Sequence, residues 1–167
     1  DFSAKRINNV ELYPYKELIK NQLSGVMVAH MEVPSLEKTP KLPSTLSKNI
    51  ITKLLKKKLK FEGLIITDAM DMKGVVDFNK DESADVNALL AGNDVLLMPD
   101  DLDQSTRSIK KALEEGVISE KRLSYSVKKI LLAKYKAGLH KVSEISLENI
   151  SKDLNTEEDK SLFDELT

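Results

Sequence analysis

The group in this chain best placed to do chemistry is an aspartate at the end of an apolar run. Leu64-Ile65-Ile66 stops abruptly at Thr67 and Asp68. That pattern fits a buried strand delivering a carboxylate to the rim of a parallel sheet, where α/β proteins keep their reactive groups. A carboxylate there can serve as nucleophile, as base, or as the cap of a following helix. Two further apolar runs end in polar groups. Val26-Met27-Val28-Ala29 leads to His30, and Asp94 to Met98 leads through Pro99 to Asp100 and Asp101. Asp94, Asp100 and Asp101 read as turn and capping groups, and Asp71 as a loop residue. His140 follows Gly138 and Leu139 and reads as a surface residue.

The elements that must position these groups follow from periodicity and from turn residues. Leu12, Tyr15, Leu18 and Ile19 share one face of a helix over about 12–22, with Pro14 suited to its first turn. A strand over 25–30 follows, then a loop over 31–46 with Pro34, Pro40 and Pro43. Ser47 is placed to cap a helix over 48–60 whose inward positions are Ile50, Ile51, Leu54, Leu55 and Leu59. Lys56-Lys57-Lys58 then falls on its solvated side. A strand over 63–67 and a loop over 73–81 lead into a helix over 82–91 closed by Gly92. A third strand over 94–98 and a helix over 103–115, stopped by Gly116, come next. Ser119 opens the long last helix, with Leu123, Val127, Ile130 and Leu131 inward and Gly138 as its stop. Beyond it the chain is polar, with short helical stretches expected at 144–150 and 157–166. The order α-β-α-β-α-β-α-α predicts parallel strands covered on both faces.

Composition narrows the function. The chain has 167 residues, 41% of them hydrophobic and 32% charged, with a net charge of −1. This is a globular composition without the basic excess of a nucleic-acid surface. There is no cysteine, and the histidines number two, His30 and His140. Thiolate metal sites are thereby excluded and a histidine-rich one is disfavoured. No apolar run approaches the roughly 20 residues of a membrane-crossing helix.

Five blocks in order resemble the later part of the catalytic barrel of glycoside hydrolase family 3, especially its bacterial β-N-acetylhexosaminidases. They are Glu11 to Ile19 with Val26 to His30, Leu42-Pro43-Ser44-Thr45-Leu46-Ser47, Phe61 to Met72, Ala91 to Pro99, and Arg122 to Leu139. The resemblance implies an α/β fold: a partial TIM (β/α)8 barrel, strands six to eight with a closing helix, over 1–140. Residues 141–167 would form a linker or the start of a following segment. It implies a retaining exo-glycosidase with Asp68 as nucleophile, His30 and Met72 as substrate-binding residues, and neither metal nor cofactor. The substrate would be a glycan with terminal β-linked N-acetylglucosamine, or a peptidoglycan fragment; the alternative is a β-glucosidase-type activity. The family's Lys-His-Phe-Pro-Gly-His motif and its loop histidine, the acid/base, do not occur in this sequence. By the same resemblance their place lies upstream of Asp1. The chain is thus expected to be a fragment, inactive alone, whose partner is an upstream barrel segment in cis or on a second chain. Compartment stays open between cell envelope and cytoplasm.

Two other classes compete. A phosphoacceptor receiver domain also carries a strand-end aspartate. It needs an acidic pair after its first strand and a Lys-Pro after its last, and this chain has Ala29-His30 and Met98-Pro99-Asp100 there. A non-catalytic barrel-derived scaffold is the second, and activity reconstituted with the upstream segment separates it from an enzyme.

Overall fold

The structure is a computed structural model that describes residues 2–76, 78, 83–141, 148, 150, 154 and 156–166. Its centre is a parallel sheet in the order β1-β2-β3, with β1 Gly25–Val28, β2 Leu64–Ala69 and β3 Val95–Leu97. β1 and β2 run in unbroken register from Gly25 opposite Leu64 to Val28 opposite Thr67. β2 and β3 pair at Ile66–Val95 and Ala69–Leu97, with an irregularity between. The helices are α1 Ala4–Asn9, α2 Tyr13–Lys20, α3 Lys73–Val76, α4 Ala84–Ala91, α5 Leu102–Glu114 and α6 Glu120–Lys136. A 3-10 turn, Ser44–Leu46, and a helix over Asn49–Lys58 stand between β1 and β2. The latter is wound as a π-helix and ends on a bond from Leu59 N to Leu54 O, 2.9 Å.

The chain divides into two compact units, Asp1–Ala137 and Gly138–Thr167. The second holds a helix over Glu157–Leu166 with a reciprocal cap: Thr156 Oγ1 accepts from Asp159 N at 3.1 Å, and Asp159 Oδ2 accepts from Thr156 N at 2.9 Å. The helical stretch expected at 144–150 lies, but for 148 and 150, outside the described residues. Among the described residues, no helix is long and apolar enough to cross a membrane.

Local signals set the element ends in the first unit. Ser83, Asp101 and Ser119 each accept a hydrogen bond from the backbone N–H three residues on, capping α4, α5 and α6. Gly92 ends α4 at φ 125°, and a Cβ there would lie 2.8 Å from Thr52 Oγ1. Both the backbone angle and the space require glycine.

The sheet is covered on one face, not two. Val28 and Ile65 pack with Ile51, Leu55, Phe61 and Ala91 into a helix-side core, and Leu46, Met70, Val75 and Ala88 form a second cluster. Fully burying a side chain such as Ile65 contributes about 1.5–3 kcal/mol. The opposite face carries Met27, Ile66 and Leu97; Met27 is 60% exposed and Leu97 39%. A parallel sheet with a bare apolar face is unusual, because its strands are normally buried on both sides. The last helix shows the same inversion. Of the four residues expected inward, Leu123 and Ile130 are half-buried but Val127 and Leu131 are exposed, while Ser126 is buried and Arg122 and Lys129 lie half-buried. α6 turns this polar stripe to the sheet because Asp94 is buried there and needs those partners.

The proline-bearing loop before the π-helix is anchored by Glu37, which is 6% exposed. Its carboxylate accepts from Ser47 Oγ at 2.6 Å, Asn49 Nδ2 at 2.9 Å and Thr39 N at 3.0 Å. Burial pushes its pKa up, but these hydrogen bonds outweigh burial and hold it at about 2. A folded-state value below the ordinary 4.5 stabilises the fold above pH 4.5, and that stability drains away as pH falls from 4.5 towards 2. Glu37→Gln is expected to cost about 1–3 kcal/mol in urea unfolding at pH 7. The difference from the parent protein should shrink below pH 4; an unchanged gap at pH 3 would discount the charge.

Candidate active site

Asp68 sits at the penultimate position of β2, half-buried, on the sheet face opposite the helix-side core. Strand alternation decides this: Ile65 and Thr67 point into the core, so Ile66 and Asp68 point away from it. Thr67 is fully buried, and its Oγ1 accepts from Leu97 N at 2.9 Å. The hydroxyl thus stands in for a ladder carbonyl where the β2–β3 register slips, and such irregularities re-aim side chains beside functional sites. Leu97 O accepts from Met70 N at 2.9 Å, and β3 then turns off sharply at Met98, φ 43°.

One residue joins the three groups that the sequence singles out. Ala69 donates its N–H to Asp68 Oδ1 at 2.9 Å. Its carbonyl accepts from His30 Nε2 at 2.8 Å and from Met72 N at 3.2 Å. His30 and Met72 therefore converge on the backbone next to Asp68. The His30 ring is half-buried, and its Nδ1 lies 2.6 Å from Thr45 Oγ1. Thr45 is fully buried in the 3-10 turn, and its own carbonyl accepts from Asn93 Nδ2 at 2.8 Å. The Met72 side chain is exposed, as are those of Met31 and Met98, so each strand end carries an accessible methionine at this rim. Among the described residues, Ala69 N–H is the only partner of the Asp68 carboxylate, which leaves Oδ2 uncommitted.

The remaining sequence candidates lie elsewhere. Asp101 caps α5, accepting from Gln104 N at 2.9 Å. Asp71 and Asp100 are exposed and His140 lies in the second unit. Asp94 precedes β3, so it belongs to the opposite end of the sheet from Asp68. It is a buried hub: Ile65 N donates to its Oδ2 at 3.1 Å, Ser126 Oγ to its Oδ1 at 2.6 Å, and Lys129 is bonded to it. Lys56 Nζ stands 3.8 Å away, which corrects its expected place on a solvated helix side. Among the described residues, no group of three or more His, Cys, Asp or Glu side chains could hold a metal ion.

A family model, the glycosyl hydrolase family 3 N terminal domain, matches residues 1–133. The β-hexosaminidase A of Pseudoalteromonas piscicida is 31% identical, over 81% of this chain and 26% of its own length. A Cellulomonas fimi protein named β-N-acetylglucosaminidase/β-glucosidase is 27% identical, over 76% of this chain and 24% of its own. Among solved structures, a glycoside hydrolase family 3 β-N-acetylglucosaminidase from Paenibacillus sp. str. FPU-7 superposes with a TM-score of 0.86 at 29% identity, over 98% of this chain and 31% of that one. The chain spans about a quarter to a third of the length of these relatives.

Proposed function

The chain belongs to glycosyl hydrolase family 3, and we propose that it forms the nucleophile-bearing part of a retaining exo-β-N-acetylhexosaminidase. Asp68 is the nucleophile. The observation that carries this reading is its carboxylate: at a strand end, off the core face, with one oxygen held by Ala69 N–H and the other uncommitted among the described residues. Asp68 Oδ2 attacks the anomeric carbon as the glycosidic C–O bond breaks. The departing oxygen takes a proton from an acid that another segment supplies. Water, deprotonated by the same group, then opens the glycosyl ester and frees the carboxylate.

The architecture proposed with it is a barrel section over 1–140, strands six to eight and a closing helix, followed by a linker over 141–167. The bare face of the sheet supports this, since Met27, Ile66 and Leu97 are the residues a barrel interior would cover. So does the exposed stripe Val127, Leu131 and Tyr135 on α6. The partner is the complementary barrel segment, in cis or as a second chain, and the section alone is inactive. His30 and Met72 border the substrate position through Ala69. The Cellulomonas relative, named for both activities, favours β-glucosidase as the second reading.

The test uses the complete barrel. A mechanism-based fluorosugar of N-acetylglucosamine should become covalently attached to Asp68, as located by peptide mass mapping. A label elsewhere removes the nucleophile assignment. A matched fluoroglucoside reacting faster shifts the substrate to glucosides.

A further inference from the structure

The Ala69 peptide geometry offers a role for His30 beyond bordering the substrate. Asp68 Oδ1 is oriented by the Ala69 N–H at 2.9 Å, so the carboxylate can be no better fixed than residue 69 itself. Ala69 closes β2, and beyond it the backbone enters the turn to Met72. A strand end is free to twist unless its carbonyl is tied. Here two donors tie it: the turn N–H of Met72 at 3.2 Å and, closer, the His30 side chain, whose Nε2 lies 2.8 Å from Ala69 O. A carbonyl oxygen only accepts, so Nε2 carries the proton. The other ring nitrogen is fixed by Thr45 Oγ1 at 2.6 Å, and Thr45 is held through its carbonyl by buried Asn93. The ring is gripped at both nitrogens and cannot turn away.

We propose that His30 is a positioning residue for Asp68. Its Nε2–H anchors the Ala69 carbonyl, and through residue 69 it aims the N–H that clamps Asp68 Oδ1 and leaves Oδ2 facing the anomeric carbon. The inference rests on Asp68 being the nucleophile. It assigns His30 to the geometry of the carboxylate and not to substrate contact, since neither ring nitrogen is left to bind a sugar hydroxyl.

The test compares two amides in the complete barrel. His30→Gln can place an N–H near the Nε2 position and keep the tie to Ala69. His30→Asn reaches only the Nδ1 position and loses it. A misplaced reacting group costs up to about a hundredfold. His30→Asn is therefore expected to lower kcat by about ten- to a hundredfold with KM little changed, and to slow fluorosugar trapping at Asp68 in parallel. His30→Gln should recover most of both rates. Thr45→Val, which removes the grip on Nδ1, should lower kcat in the same direction, while Thr45→Ser should not; this pair serves if His30→Asn fails to fold. Wild-type kcat in His30→Asn and Thr45→Val overturns the proposal. Equal loss in both amides also overturns it, and so does a raised KM at unchanged kcat, which would make His30 a substrate ligand. A label on a residue other than Asp68 in the unmutated enzyme strikes the nucleophile assignment itself, so the two failures are told apart.

Discussion

Asp68→Asn in the complete barrel is expected to lower turnover by about a thousandfold or more while the protein stays folded. Asparagine has almost the same shape, and its Oδ1 can still accept from Ala69 N–H. What disappears is the negative charge, and with it both the attacking lone pair and the electrostatic support of a developing oxocarbenium ion. A thousandfold loss corresponds to about 4 kcal/mol of transition-state stabilisation. Little stability should be lost, because the carboxylate is half-buried and its sole bond among the described residues is to its neighbour. A companion variant sharpens the reading. Asp68→Ala opens space where azide can attack the anomeric carbon from the face that Asp68 occupied, giving a glycosyl azide of inverted configuration. Azide rescue with that stereochemistry identifies Asp68 as the nucleophile. Recovery of ordinary hydrolysis without azide, or near-normal rates in Asp68→Asn, would remove it from that role.

How much of this was legible in the sequence depends on how local each signal is. The strand that carries Asp68, the cap Ser119 and the stop at Gly92 are written in neighbouring residues, and the structure has them there. Lys56 is different. On its own helix it belongs to a lysine run that reads as solvated, yet it leans on Asp94 because another element brings that carboxylate under it. Glu37 is hidden for the same reason: a loop glutamate carries no periodic signal, and its anchors Ser47 and Asn49 matter only once the loop folds back. His30 could be seen as a strand-end group, but its partners lie 15 and 39 residues along the chain. The inward face of α6 is legible only in part: Leu123 and Ile130 are half-buried, but Val127 and Leu131 are exposed, whereas Arg122, Ser126 and Lys129 answer a buried charge. Apolar periodicity finds the stripe that wants cover; it does not say which element supplies the cover.

That buried charge carries the largest stability effect expected in the molecule. Asp94 has no exposed side-chain surface, and three cations gather on it: Lys129 in direct contact, Lys56 at 3.8 Å and Arg122 at 4.0 Å. Arg122 also reaches it through Ser126, donating to Ser126 Oγ at 2.6 Å, which in turn donates to Asp94 Oδ1, and Lys56 and Lys129 lie over the Tyr125 ring. Removing one partner of a buried pair costs more than the pair is worth, because it strands the other charges. Asp94→Asn is expected to destabilise the fold by about 3–5 kcal/mol. Lys56 shows how near the balance already is. Burial pushes its pKa down to about 8, with Arg122 and Lys129 adding to the fall and Asp94 alone opposing it. A lysine depressed in the folded state weighs against folding below pH 8, and that burden lifts as pH rises from 8 towards 10.5. The loss in Asp94→Asn should therefore be greatest near neutral pH and smaller at pH 10. Lys129→Met should recover part of it, since it withdraws one stranded cation, and urea unfolding of the two single variants and the double variant measures that coupling. Strictly additive losses would mean that Asp94 and Lys129 act independently, and that the hub is a set of separate hydrogen bonds and not one electrostatic unit.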